Sequence, residues 1–172
     1  MRNGEATVDT LIADIVAAWR INEQINHFLI DHLTDEAWTA KPPGGKGRTI
    51  AAIFAHIHNV RHMWMQTVAK DPKLFEKVKK EDLTRAQAKE ALAISGKAIE
   101  GLFESKLKTG KVSGFPPSAA AFFAYLVSHD SHHRGQAVML ARQLGLAVPM
   151  QATFGMWEWN SRHKEIAADQ SA

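Results

Sequence analysis

Hydrophobic residues recur at intervals of three and four in four long segments of this 172-residue chain. This spacing places apolar side chains on one face of an α-helix and predicts helices over about 7–32, 49–70, 84–107 and 118–144. No stretch alternates strictly between apolar and polar residues as a strand does. The pattern predicts an all-α fold, and four helices of this length are typical of a four-helix bundle. The apolar face of the first segment is expected to contain Leu11, Ile12, Ile15, Trp19, Ile25, Phe28 and Leu29.

Helix-start and helix-stop residues mark the ends of these segments. Thr49 is expected to cap the second helix, and Thr84 begins a T-x-x-Q sequence with the spacing of a capping box. Gly145 is expected to end the fourth helix. The tail over 152–164 predicts a short C-terminal helix or an ordered arm packed on the bundle. Because no repeat or linker composition interrupts the chain, residues 1–172 are expected to form a single domain.

The composition limits which chemistry is available to the protein. The chain has no cysteine, so a metal would be held mainly by histidine or carboxylate, and an intrinsic thiol nucleophile is excluded. Its 45% hydrophobic and 23% charged residues are ordinary for a globular protein. The net charge of +3 comes without a basic stripe, and neither a secretory signal nor a membrane span is visible. We therefore expect a cytoplasmic protein without nucleic-acid or membrane partners.

Histidines are numerous and clustered. Of the nine, three lie in 55–63 and three in 129–133. His129 and His133 are four residues apart, so on a helix both imidazoles project from one face and can converge on a single ion. At about 100° per residue, both fall inside the apolar stripe of the fourth segment, whereas His132 lies roughly 95° away and is expected to be exposed. His129 and His133 are thus predicted to face the interior.

The second segment offers three further histidines. His56 lies on one shoulder of the apolar stripe centred near Ile57, and His58 and His62 are expected to lie further round, toward solvent. His58 and His62 form another pair four residues apart, so spacing alone also allows them as ligands. The predicted facing favours His56, and His58 stays open as a replacement or an additional ligand.

The interior histidines could serve either packing or metal binding. Interior histidines can simply pack and form hydrogen bonds, but burying two neighbouring imidazoles without a shared partner is costly, which favours a metal site. Three neutral imidazoles leave at least one coordination position for water or substrate, as in catalytic sites. Nickel, zinc, copper and iron all accept such ligands.

Polar residues near the predicted site have less definite roles. Gln136 lies roughly 55° from the centre of the stripe and is a minor candidate for contact with the site, and Arg134 is expected to pair with an acid off the ligand face. Asn22, Glu23 and Asn26 on the first helix could hydrogen-bond the ligand histidines or supply a fourth ligand. Solvated surface is the stronger expectation for these three residues.

Two motifs resemble those of a known family. The segment Phe54–Arg61, FAHIHNVR, resembles the second-helix histidine motif of the DinB/YfiT-like family, and His129–Gln136, HDSHHRGQ, resembles its His-x3-His-Arg-Gly-Gln motif. The resemblance spans most of the chain. It implies that His56, His129 and His133 bind a divalent ion such as nickel or zinc. It also implies an up-down-down-up bundle, often homodimeric, with a long crossover that 70–83 could supply.

The resemblance also suggests a class of reaction. Relatives in this superfamily include thiol-dependent S-transferases and a mycothiol-dependent maleylpyruvate isomerase. The leading hypothesis is therefore a metal-dependent transferase using a low-molecular-weight thiol, or a hydrolase, acting on a small-molecule substrate. The alternatives are a non-catalytic metal- or ligand-binding helical module, and a bundle whose histidines only pack and which acts through its surface.

Overall fold

The computed structural model describes residues 2–69, 75–80 and 83–169, and the side chains of 7–168 within those ranges. The described chain is helical, with no strand beyond an isolated bridge between Val112 and Phe115. The prediction of an all-α fold is confirmed. The helices are α1 (Arg2–Asp31), α2 (Asp35–Thr39), α3 (Ile50–Ala69), α4 (Arg85–Thr109), α5 (Ala119–Gln143), α6 (Met150–Gly155) and α7 (Trp159–Asp169).

Local sequence accounts for the ends of the long helices. The Thr49 hydroxyl accepts a hydrogen bond from the Ala52 amide at the start of α3. Thr84 and Gln87 form the predicted capping box at the start of α4, each side chain accepting from the other's backbone amide. Gly145 follows α5 with φ of +75°, which suits glycine at a helix end. The first helix begins at Arg2, several residues before the predicted start.

Helices α1, α3, α4 and α5 pack against one another around two clusters of buried apolar side chains. The first cluster includes Leu29, Leu33, Ile53, Phe54, Ile57, Leu92, Ala137 and Leu140. The second cluster includes Ile12, Val16, Trp19, Met65, Ile99, Phe103, Phe122 and Leu126. Along α1 and α5 the residues of the second cluster come before those of the first, whereas along α3 and α4 the order is reversed.

Buried polar residues separate the two clusters in all four long helices. We call this set the polar layer, and it consists of Asn22, Asn26, Arg61, Ser95 and Asp130. Most of the apolar positions predicted for α1 line the interior, but Leu11 is 59% exposed. Residues 7–11 at the start of α1 are all exposed, so Leu11 lies before the buried part of the helix.

Close contacts join α1 to α4. The Trp19 indole donates a hydrogen bond to the Gly96 carbonyl, and a Cβ on Gly96 would lie only 2.9 Å from the Glu23 side chain. Glu100 accepts hydrogen bonds from Arg20 on α1 and from Lys97 one turn before it on α4. The small residue at position 96 therefore permits a close approach of the two helices.

The C-terminal tail packs on the bundle, as predicted. It forms α6 and α7, and α7 lies against α1. The Arg162 guanidinium lies 4.1 Å from the centre of the Phe28 ring. Among the described residues, no helix has the length and apolar character needed to cross a membrane.

The predicted crossover over 70–83 is described only in part, because 70–74 and 81–82 lie outside the described residues. Residues 75–80 form no helix and lie on α3. The Asn59 side-chain amide donates to the Val78 carbonyl and accepts from the Val78 amide. This pairing holds the crossover against the helix that carries His56.

Candidate metal centre

Three histidines converge between α3 and α5. The ring centres of His129 and His133 lie 4.5 Å apart, and the ring of His56 lies 5.3 Å and 4.7 Å from them. Each offers a ring nitrogen, and these atoms all lie within 4.8 Å of one another. An ion bound about 2.1 Å from each nitrogen needs the nitrogens to lie about 3.0–3.4 Å from one another. Modest side-chain rotations would therefore complete a metal site. We call this group the three-histidine centre.

The surroundings favour neutral imidazoles, which is the form that binds a metal. Burial, and then the charge of Arg48, lowers the pKa of His56 to about 4. Burial also lowers the pKa of His133, against the opposing effect of its hydrogen bond to Gln136. The donor set therefore fits a divalent cation that accepts nitrogen ligands.

Gln136 orients one of the rings. The His133 Nδ1–H donates to Gln136 Oε1 over 2.8 Å, which leaves Nε2 of His133 available as a ligand atom. The Gln136 amide in turn donates to Nε2 of His132 over 3.0 Å. Gln136 therefore contacts the site, which the sequence offered only as a minor alternative. His132 is exposed, as predicted.

A second ring has a carboxylate beside it. Nδ1 of His129 lies 3.6 Å from Oδ1 of Asp130, and both atoms are buried without a hydrogen-bond partner among the described residues. Buried polar atoms without partners are rare. A small closing movement would form an Nδ1–H to carboxylate hydrogen bond and direct Nε2 of His129 toward a metal, an arrangement common at metal-binding histidines.

Asp130 is held by three hydrogen-bond donors at the centre of the bundle. It has no exposed surface, and its Oδ2 accepts hydrogen bonds from Arg61 at 2.6 Å, Asn22 at 2.9 Å and Asn26 at 3.1 Å. Burial alone would raise the pKa of this carboxyl, but Arg61 and the other nearby donors hold it well below its usual range. Arg134 donates to the Asn26 side-chain oxygen at 2.7 Å.

Arg61 connects Asp130 to a second carboxylate. Its guanidinium is 1% exposed, lies 2.6 Å from Oε2 of Glu23 and stacks 4.8 Å from the centre of the Trp19 ring. The expectation that Asn22, Glu23 and Asn26 are solvated is therefore wrong, because both asparagines donate to Asp130 and Glu23 pairs with Arg61. Arg61 and Asp130 both lie within the two family motifs, but the sequence pattern assigned neither of them a role.

One comparison with known proteins identifies a family for this chain. A family model described as the DinB family matches residues 6–165. The chain belongs to the DinB family. No curated protein and no solved structure matches it.

The other two histidines of α3 do not contribute to the centre of this DinB-family chain. Both are buried, so the prediction that His58 and His62 lie toward solvent is wrong. Nδ1 of His58 lies 2.8 Å from the Ala91 carbonyl, and its Nε2 lies 2.8 Å from the Glu76 carbonyl. Because backbone oxygens from α4 and the crossover occupy both ring nitrogens, His58 is not placed to replace or supplement His56.

Aromatic side chains of the DinB-family chain continue from the centre toward the second core cluster. The Tyr125 ring lies 6.3 Å from His129, and the Trp64 ring lies 5.8 Å from Tyr125. Phe115 and Phe122 complete this aromatic cluster. Trp19 and Phe122 are buried in the core, whereas Trp64 is half-buried and Tyr125 is exposed. The half-buried members provide an apolar surface next to the histidines.

Proposed function

We propose that this DinB-family protein binds a divalent ion, nickel or zinc, through His56, His129 and His133, and that it is a metal-dependent transferase or hydrolase. The observation that carries the proposal is the convergence of three ring nitrogens within 4.8 Å on two helices, in an environment that keeps two of the rings neutral. The chemistry of the donor set supports a nitrogen-ligated cation, since the chain has no cysteine.

The chain's own residues would prepare the ligands and hold a substrate. A divalent ion at this position would make a bound water or thiol more acidic and so a better nucleophile. Gln136 orients His133, and Asp130 is placed to orient His129. The aromatic cluster around Tyr125 would pack against the apolar part of a small-molecule substrate, and a low-molecular-weight thiol would act as the second substrate of a transferase.

Metal content is the first test of this proposal. The untagged protein should carry near-stoichiometric metal by elemental mass spectrometry, and His56→Ala, His129→Ala and His133→Ala should each lose it. His132→Ala is the matched control, because His132 is exposed and adjacent to His133 but outside the three-histidine centre. A protein that takes up no metal on reconstitution would support packing histidines instead.

The reaction needs its own test. The metal-loaded protein should turn over glutathione, bacillithiol or mycothiol with electrophilic acceptors, or ester, amide or epoxide substrates. Loss of that turnover in His133→Ala, and retention in His132→Ala, would tie the activity to the centre. Stoichiometric metal with no turnover in any of these assays would favour a non-catalytic metal-binding module.

The proposal includes the form of the molecule. We infer an up-down-down-up topology, and what supports it is the order of the two core clusters, which is the same in α1 and α5 and reversed in α3 and α4. We also propose a single domain over residues 1–172, a homodimer and a cytoplasmic location. Size-exclusion chromatography with light scattering would test the dimer.

A further inference from the structure

The loop that leads into α3 is basic. Residues 40–49, AKPPGGKGRT, contain Lys41, Lys46 and Arg48 and no acidic residue. The backbone at Gly44, Gly45 and Gly47 has positive φ, which these glycines adopt without strain. The loop therefore brings three cations to the N-terminal end of the helix that carries His56.

Arg48 lies beside the three-histidine centre. It lines a cavity of about 570 Å³ together with Gln136, whose side chain bonds His133. The apolar lining includes Ile53, one helical turn before His56, and Leu140. The guanidinium is also close enough for its charge to act on both His56 and His133. The cavity thus extends from a cation to residues that adjoin the centre.

Arg48 is exposed and has no partner among the described residues. Within 2–69, 75–80 and 83–169, no carboxylate or hydrogen-bond acceptor contacts its side chain. Arg61 and Arg85, by contrast, both pair with aspartates. An exposed, unpaired guanidinium beside a site for a divalent cation is free to bind an anion, and an anion held between the two positive charges would be attracted by both.

We propose that Arg48 binds the carboxylate of a small molecule whose apolar body lies along Ile53 and Leu140 and whose other end reaches the three-histidine centre. A planar guanidinium pairs with a carboxylate through two parallel hydrogen bonds. The apolar lining suits a chain of methylene groups. The inference rests on the proposed function, since it takes the centre as the place where the substrate reacts.

Matched pairs of ligands test the role of Arg48. Hexanoate and octanoate are compared with hexanamide and octanamide by ligand-observed NMR on the metal-free full chain at low salt. The acids should bind about fivefold more tightly than the amides, the effect of a partly exposed ion pair. Arg48→Gln should abolish this preference. Lys46→Gln, which removes a cation of the same loop that does not line the cavity, should retain it.

A spectroscopic measurement tests where the other end lies. Adding 6-mercaptohexanoate to cobalt-substituted protein should produce a thiolate-to-cobalt absorption band, with an apparent affinity about fivefold lower in Arg48→Gln. Absence of the band with a cobalt-loaded protein would overturn the placement of the ligand.

The two experiments separate this inference from the proposed function. Equal binding of acids and amides, no binding of either, or a preference unchanged in Arg48→Gln would overturn the role of Arg48 while leaving the metal site intact. Failure of the wild-type protein to bind any metal, with the carboxylate preference of the metal-free chain still present, would instead contradict the proposed function alone.

Discussion

Replacing Arg61 with methionine tests whether the polar layer holds the bundle together. The guanidinium is 1% exposed and lies 2.6 Å from both Glu23 and Asp130, so Arg61→Met leaves two carboxylates without their cation. Methionine fills most of the volume of the arginine stem and keeps an apolar contact with Trp19. The substitution therefore removes charge and hydrogen bonds with little loss of packing.

The contacts of each carboxylate determine the size of the effect. Removing one member of a buried ion pair costs about 3–5 kcal/mol, because the remaining charge is uncompensated. Asp130 keeps hydrogen bonds from Asn22 and Asn26, and the Glu23 side chain is 13% exposed, so both are partly compensated. We therefore expect a loss near the lower end, about 3 kcal/mol, which corresponds to a melting temperature about 6–12 °C lower.

Urea unfolding of the metal-free protein, followed by circular dichroism and tryptophan fluorescence, measures this loss without a contribution from bound metal. Arg85→Met is the matched control. Its partner Asp35 is exposed, so its loss should cost less than about 1 kcal/mol. The variant that combines Arg61→Met with Glu23→Gln and Asp130→Asn should recover part of the stability lost in Arg61→Met. A cost for Arg61→Met no larger than that of the control would refute the reasoning.

Three further predictions follow from contacts in the bundle. Asp130→Asn should weaken zinc binding by about tenfold or more, because a neutral amide orients and polarises the neighbouring His129 ring less well than a carboxylate. Competition with a chromophoric chelator measures the affinity, and an unchanged affinity in the folded variant would contradict this prediction. Gly96→Ala should lower the free energy of unfolding by about 1 kcal/mol in thermal unfolding, because the new Cβ would lie 2.9 Å from the Glu23 side chain. The control Gly101→Ala, on the same helix but facing open space, should raise the free energy of unfolding by about 0.5–1 kcal/mol. Glu100→Gln should cost about 1 kcal/mol at neutral pH. The pKa of that carboxyl is lowered in the fold, because its cationic partners outweigh the effect of burial, so its contribution is present above the unfolded pKa of about 4.3 and should disappear in urea titrations as the pH falls below it.

Periodicity predicts the position of a residue better than it predicts how a charge is satisfied. At about 100° per residue, Arg61 lies only about 40° from Ile57, inside the apolar stripe of α3. The angle alone therefore predicts its burial. Its residue type suggests the opposite, because a buried guanidinium needs anionic partners. Asp130, one of these partners, is 69 residues away in sequence, and periodicity within a single helix carries no information about it.

The error at His58 and His62 has a different cause. A helical wheel divides a helix into one apolar and one solvated face, but α3 packs against α4, against α5 and under residues 75–80. A helix covered on several sides buries residues well outside its apolar stripe. His129 and His133 do turn inward between α3 and α5, but α5 buries more than its apolar stripe, since Asp130 and Arg134 are buried as well.

The sequence HDSHHR in α5 contributes to two groups of residues at once. His129 and His133 are four residues apart and lie in the three-histidine centre, while Asp130 and Arg134, also four apart, are rotated by about 100° and lie in or beside the polar layer. A rotation of α5 by one residue would therefore break the contacts of Asp130 with Arg61 and displace both histidines together. Arg61 is on the same helix as His56, so its ion pair with Asp130 fixes the register of α3 against α5. The buried ion pairs thus determine whether the three imidazoles meet, which gives a charged network in the core a role beyond its modest net contribution to stability.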